Sequence, residues 1–126
     1  MALRAADLHV GDTHDAVIVD NLTRTQLVQY AGASGDYNPI HLDDEFARNV
    51  GLPGRILHGL WTMAQVARAQ GDPANLRSLE VQFRGVGVPE AEITITSSTT
   101  DDGTIRCDAE QNGRKIIKGG KAEIRS

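Results

Sequence analysis

With 126 residues, 40% of them apolar and 24% charged, the chain has the size of one domain, 1–126, and ordinary globular composition. No stretch approaches the roughly 20 consecutive apolar residues of a membrane span, so no membrane association is expected. A net charge of −4, with Lys and Arg scattered, argues against general nucleic-acid binding and leaves phosphate-bearing ligands only where a local basic patch forms.

The first residues, MALRAADLHVGD, lack the continuous apolar core of a secretory signal, so a cytoplasmic location is expected. Ala16 to Val19 suit a first strand, being short, apolar and β-branched. A helix follows. Thr23 can cap it, Gln26 can complete a capping box, Leu22 and Leu27 can form a hydrophobic staple, and Gly32 is the expected end. Ser34 to His41, SGDYNPIH, is rich in turn formers, and Pro39 disfavours helical backbone at Asn38, so this segment reads as a shaped loop. A second short helix is expected from Asp44 to about Val50, capped by Asp43 and ended by Gly51. After the LPGR turn, Gly59 to Gln70 reads as a third helix closed by GDP. Leu60, Trp61, Met63, Ala64, Val66 and Ala67 leave it almost no wide polar face, so it should be surrounded.

From Leu76 onward the period changes to two. Leu79, Val81 and Phe83 alternate with Glu80, Gln82 and Arg84, and Ile93 and Ile95 alternate with Glu92, Thr94 and Thr96. The DDG at 101–103 and the NG at 112–113 separate these strands from Thr104 to Glu110 and Lys115 to Ile124, and the tail reads as an antiparallel meander. Cys107 is the sole cysteine, which excludes an intrachain disulfide and a Cys-based zinc site; on a strand it should be a small buried hydrophobe. The order of elements gives an α+β architecture in which a sheet covers an apolar helix.

The segment richest in chemistry is Ser34-Gly35-Asp36-Tyr37-Asn38-Pro39-Ile40-His41, followed downstream by His58-Gly59 at the expected start of the apolar helix. Asp36 and His41 flank a Pro-containing turn, so a carboxylate and an imidazole can converge on one wall, activate a water and move one proton. Gly59 would present free backbone N–H groups and a positive dipole end to a carbonyl that becomes enolate-like, and without a Cβ it permits close approach. Each residue also has a structural reading. Asp36 can be a turn residue, His41 a cap neighbour or surface ion-pair partner, and His58 a satisfied structural histidine. His9 and His14 lack convergent polar partners and should face solvent. A metal held by His41, Asp43, Asp44 and His58 matches no familiar ligand spacing, and none is expected. Arg55, Arg77 and Arg84 are weak candidates for phosphate contacts.

The string SGDYNPIH, continuing LDDEFARNVGLPGRILHGLW, resembles the hydratase motif of MaoC-like proteins, including (R)-specific enoyl-CoA hydratases and (3R)-hydroxyacyl-ACP dehydratase subunits. The resemblance implies a hot-dog fold, an antiparallel sheet wrapped around a long central helix, paired as a homodimer or as a heterodimer with a related subunit. It implies Asp36 and His41 as the catalytic pair and Gly59 as the backbone donor to a thioester carbonyl of an acyl-CoA or acyl-carrier-protein substrate, with no cofactor. Asn38 matches the motif's Asn and would support the loop; Ser34, His58 and Trp61 are candidates for substrate binding or support. Trp61 stands where a smaller aliphatic residue is expected and could narrow an acyl tunnel or simply fill the core. The stretch RGVGVPEAEI resembles the family only loosely. Two other functions stay open: an acyl-chain-binding or supporting subunit of a heterodimeric dehydratase, and a hot-dog thioesterase.

Overall fold

The computed structural model describes residues 16–70, 73–101 and 104–124. The expectations for His9, His14 and the first residues, for Gly71-Asp72 as a helix stop and for the tip of the DDG turn lie outside these residues.

Strand β1 (Val17–Val19) pairs antiparallel with β3 (Ile93–Asp101), Val17 opposite Ile95 and Val19 opposite Ile93. Helix α1 (Arg24–Ser34) begins on the expected capping box: Gln26 N–H donates to Thr23 Oγ1 at 3.2 Å and Thr23 N–H to Gln26 Oε1 at 3.0 Å. It does not stop at Gly32. A glycine inside a helix costs about 1 kcal/mol relative to Ala without breaking it. The helix ends at Gly35, which takes the left-handed conformation (φ 76°) and donates its N–H to Ala31 O.

The expected loop also contains a short helix, α2 (Pro39–Leu42). Proline at the first helical position has its φ already set, and Asn38, kept extended before it, caps the turn by accepting from Ile40 N–H at 3.2 Å. Helix α3 (Asp44–Asn49) follows, capped by Asp43 Oδ1 on Phe46 N–H at 3.1 Å, and the chain leaves it through left-handed Gly51.

Helix α4 (Gly59–Ala69) buries Trp61, Thr62 and Val66 but leaves Leu60 72% exposed and Ala64 and Arg68 exposed. The expectation of a surrounded helix is therefore corrected: one five-stranded sheet covers one face of it.

Strands β2 (Leu76–Phe83), β4 (Thr104–Gln111) and β5 (Arg114–Ile124) complete an antiparallel sheet in the order β1-β3-β4-β5-β2. The meander is thus confined to β3, β4 and β5. Strand β2 pairs with the last strand instead of with β3, because residues 84–92 form a long connection rather than a tight hairpin. That leaves β2 as an edge. After the register shift between Glu80 and Gln82, Phe83 is 51% exposed, whereas Leu79 and Val81 are half-buried against the core.

The core joins Leu27 of α1 and Trp61 and Val66 of α4 to Ile93, Ile95, Cys107 and Ile117 of the sheet. Cys107 is fully buried, and burial, with the nearby Asp108 charge, pushes its thiol up to about 11. It is an inert core residue, as its strand position implied. No described helix is long and apolar enough to cross a membrane.

Candidate active site

The site is built from short-range turns. Left-handed Gly35 turns the chain out of α1, Ser34 Oγ accepts from Asp36 N–H at 3.3 Å, and Asp36 Oδ1 accepts from Asn38 N–H at 3.2 Å. One carboxylate oxygen of Asp36 therefore does the turn work expected of an Asp in such a loop. The other, Oδ2, lies 3.6 Å from His41 Nε2. The turn occupies Oδ1, which leaves Oδ2 as the oxygen nearer His41.

His41 is carried inward by α2, with its side chain 7% exposed against 51% for Asp36. Its Nδ1 sits 2.7 Å from the Ile56 carbonyl oxygen. A carbonyl only accepts, so Nδ1 carries the hydrogen and Nε2 of the neutral ring turns a lone pair toward the carboxylate. Two acceptors 3.6 Å apart can both receive from one water, and either can take its proton.

His58 immediately precedes α4, and its ring stacks on that of His41 with centroids 3.7 Å apart and planes at 18°. Its Nε2 donates to the main-chain oxygen of Asp36 at 3.0 Å and lies 3.8 Å from Asp36 Oδ2. Gly59 opens α4. Among the described residues no group accepts from its N–H, as expected of a first helical turn. A Cβ at Gly59 would stand 3.2 Å from the Phe83 ring, so only glycine fits without moving it.

His41 and Gly59 both line a cavity of about 210 Å³, walled by Leu57, Thr62, Phe83, Val86 and Ile116 among others. The structure brings Asp36, His41 and His58 together and sets Gly59 on the same cavity as His41. Ser34 and Asn38 sit on the Asp36 turn, exposed and outside the cavity lining. Trp61 is a core residue, 9% exposed, and does not line the cavity.

Several contributors escaped the sequence reading. Thr62 lies one helical turn beyond Gly59, a spacing that could have flagged it. The Ile56 carbonyl carries no side-chain signal. The wall formed by Gly85, Val86 and Gly87 belongs to the connection after β2, which side-chain amides hold: buried Gln111 accepts from Val88 N–H and donates to Val88 O and Ala91 O, and half-buried Asn21 donates to the same two carbonyls. Gly87 O then accepts from Leu57 N–H at 2.8 Å, beside the residue that orients His41.

Of the three arginines, Arg55 is engaged with Asp44 through its N–H at 2.9 Å and its Nε at 3.8 Å, Arg84 donates to Gln82, and Arg77 is exposed on β2; none lines the cavity. Asp44 also pairs with Arg24. The Arg55 N–H, then the Arg24 guanidinium, hold its carboxyl below the usual range. Ligand atoms of Asp36, His41 and His58 lie within 4.8 Å of one another. His58 Nε2 donates to the Asp36 carbonyl, so the atom of His58 nearest Asp36 Oδ2 holds a hydrogen and cannot act as a ligand while that bond is made.

An antiparallel five-stranded sheet packed on a helix is the α+β arrangement of hot-dog proteins, and here Asp36 of a turn and His41 of α2 lie beside the helix start. The family model described as MaoC like domain matches residues 7–119, and the chain belongs to that family. It is 42% identical over 97 residues to the fatty acid synthase subunit beta of Schizosaccharomyces pombe, covering 71% of this chain and 4% of that one. It is 43% identical over 56 residues to a protein of Arabidopsis thaliana named peroxisomal enoyl-CoA hydratase 2, covering 40% of this chain and 18% of the other. A solved structure named MaoC-like dehydratase superposes with a TM-score of 0.86 at 30% identity, over 98% of this chain and 42% of its own. The chain thus spans a small part of the curated relatives it matches.

Proposed function

We propose that residues 1–126 form a single hot-dog domain that catalyses reversible hydration of trans-2-enoyl thioesters to (3R)-3-hydroxyacyl thioesters. The observation that carries this reading is the 3.6 Å approach of Asp36 Oδ2 to His41 Nε2, with His41 and Gly59 on one cavity. In the hydration direction Asp36 and His41 hold one water and take its proton as its oxygen bonds to C3. The same proton is then delivered to C2 on the same face, so the whole water is added and no cofactor enters the balance. Gly59 N–H stabilises the carbonyl oxygen while negative charge gathers on it. Ser34 and Asn38 support the Asp36 turn.

The largely apolar wall of Leu57, Val86 and Ile116 suits an acyl chain, on coenzyme A or on a carrier protein. We place the reaction in the cytoplasm, although the Arabidopsis relative is named as peroxisomal. Exposed Leu60, Phe83 and Val86 favour a dimer, with a second copy or with a related subunit. The test is loss of enoyl absorbance when purified protein meets crotonyl-CoA, with its mass in solution measured in parallel. Release of free thiol without hydration would instead indicate a thioesterase, and an inactive protein that gains activity with a second chain would indicate a supporting subunit.

A further inference from the structure

His58 neither caps α4 with its side chain nor lines the cavity, yet its side chain is only 4% exposed. Its hydrogen bond to the Asp36 carbonyl requires the hydrogen on Nε2, because that oxygen can only accept. Nδ1 is buried without a partner, and a hydrogen there would be a donor with nothing to receive it. One face of the ring lies on His41, and Tyr30 meets it edge-on at 4.8 Å. The titratable groups around it are Asp36, His41 and Tyr30.

The other hydrogen bonds at Asp36 are to residues two positions away, Ser34 and Asn38. Among the described residues, the bond from His58 is the one that ties Asp36 to a distant part of the chain. His41 has a comparable need: its bond to Ile56 fixes one ring atom, and the stack with His58 fixes the plane.

We infer that His58, as the Nε2–H tautomer, is the positioning residue of the Asp36–His41 pair, pinning the Asp36 main chain with its donor and the His41 plane with its face. The inference rests on the proposed hydration, and His58 acts through the pair without touching reacting atoms. Two substitutions separate its contributions. His58→Gln keeps an N–H donor near the Nε2 position and loses the ring, whereas His58→Phe keeps the ring and loses the donor. Each lowers kcat by about 10- to 100-fold, the scale of a misplaced catalytic group, with KM within about threefold because the cavity wall is untouched.

Nitrogen-15 NMR of the wild-type protein reads the tautomer directly: His58 shows hydrogen on Nε2 and a bare Nδ1, and the His41 ring signals broaden in His58→Gln. An Nδ1–H tautomer, wild-type kcat in both variants, or KM rising at constant kcat would overturn the inference. The NMR measurements need no reaction. A wild-type protein that hydrates no enoyl thioester would therefore remove the proposed function while the tautomer and the His41 signals still decide the role of His58.

Discussion

Replacing Gly59 by Ala separates the chemistry of the α4 start from its packing. The new Cβ would lie 3.2 Å from Cε1 and Cζ of Phe83, a few tenths of an ångström inside the about 3.5–4.0 Å carbon optimum. Phe83 is 51% exposed on an edge strand, so its ring can move aside at modest cost. Against that cost stands up to about 1 kcal/mol of helix propensity gained by Ala over Gly. The net change in stability should stay within about 1 kcal/mol, a shift of about 5 °C at most in Tm. The methyl also stands on the cavity wall beside the N–H assigned to the thioester oxygen. Loss of one such donor costs roughly 100- to 1,000-fold in kcat, about 2.7–4 kcal/mol. Thermal melts and crotonyl-CoA hydration on the same preparation should therefore show near-wild-type folding with strongly reduced turnover. The double variant Gly59→Ala/Phe83→Ala controls for crowding, since removing the ring restores space but not access to the N–H. Activity in Gly59→Ala within about threefold of wild type, less than 1 kcal/mol in barrier, would refute the reasoning.

Asp36→Asn keeps an oxygen for Asn38 N–H, and in His41→Asn the amide can replace Nδ1–H on the Ile56 carbonyl; each should lower kcat by about 100-fold or more while circular-dichroism melts stay close to wild type. Gln111→Leu leaves Val88 N–H unpaired, whereas Val88 O and Ala91 O keep Asn21, so urea unfolding should show a loss of about 1–3 kcal/mol and KM should rise as the Gly85–Gly87 wall loosens. Asp44, whose carboxyl is held low by the Arg55 N–H and by Arg24, contributes stability above the unfolded carboxylate value near about 3.9 that is lost as pH falls through its lower folded value. Melts of Asp44→Asn against pH should accordingly lose part of the wild-type fall in Tm below about pH 4, and an unchanged slope would remove Asp44 from the acid response.

Local rules carried the sequence reading a long way. The capping box at Thr23, the Asp43 cap, the alternation at Ile93 and Ile95 and the start of α4 at Gly59 depend on neighbours a few residues apart, and the structure has all of them. SGDYNPIH also held enough turn chemistry to set Asp36 and His41 near one another, because the Asp36 turn is built from bonds spanning two residues. Tertiary structure decided what depends on contacts between distant segments. Strand β2 crossed to pair with β5 instead of β3. The tautomer of His41 was set by a main-chain carbonyl 15 residues away, and the hold on Asp36 by a histidine 22 residues away. A single sheet covers only one face of α4, which put Trp61 in the core and left Leu60 outside, though both are apolar and adjacent. Periodicity records that a helix has an apolar face; the direction from which it is covered is settled only when the strands are in place.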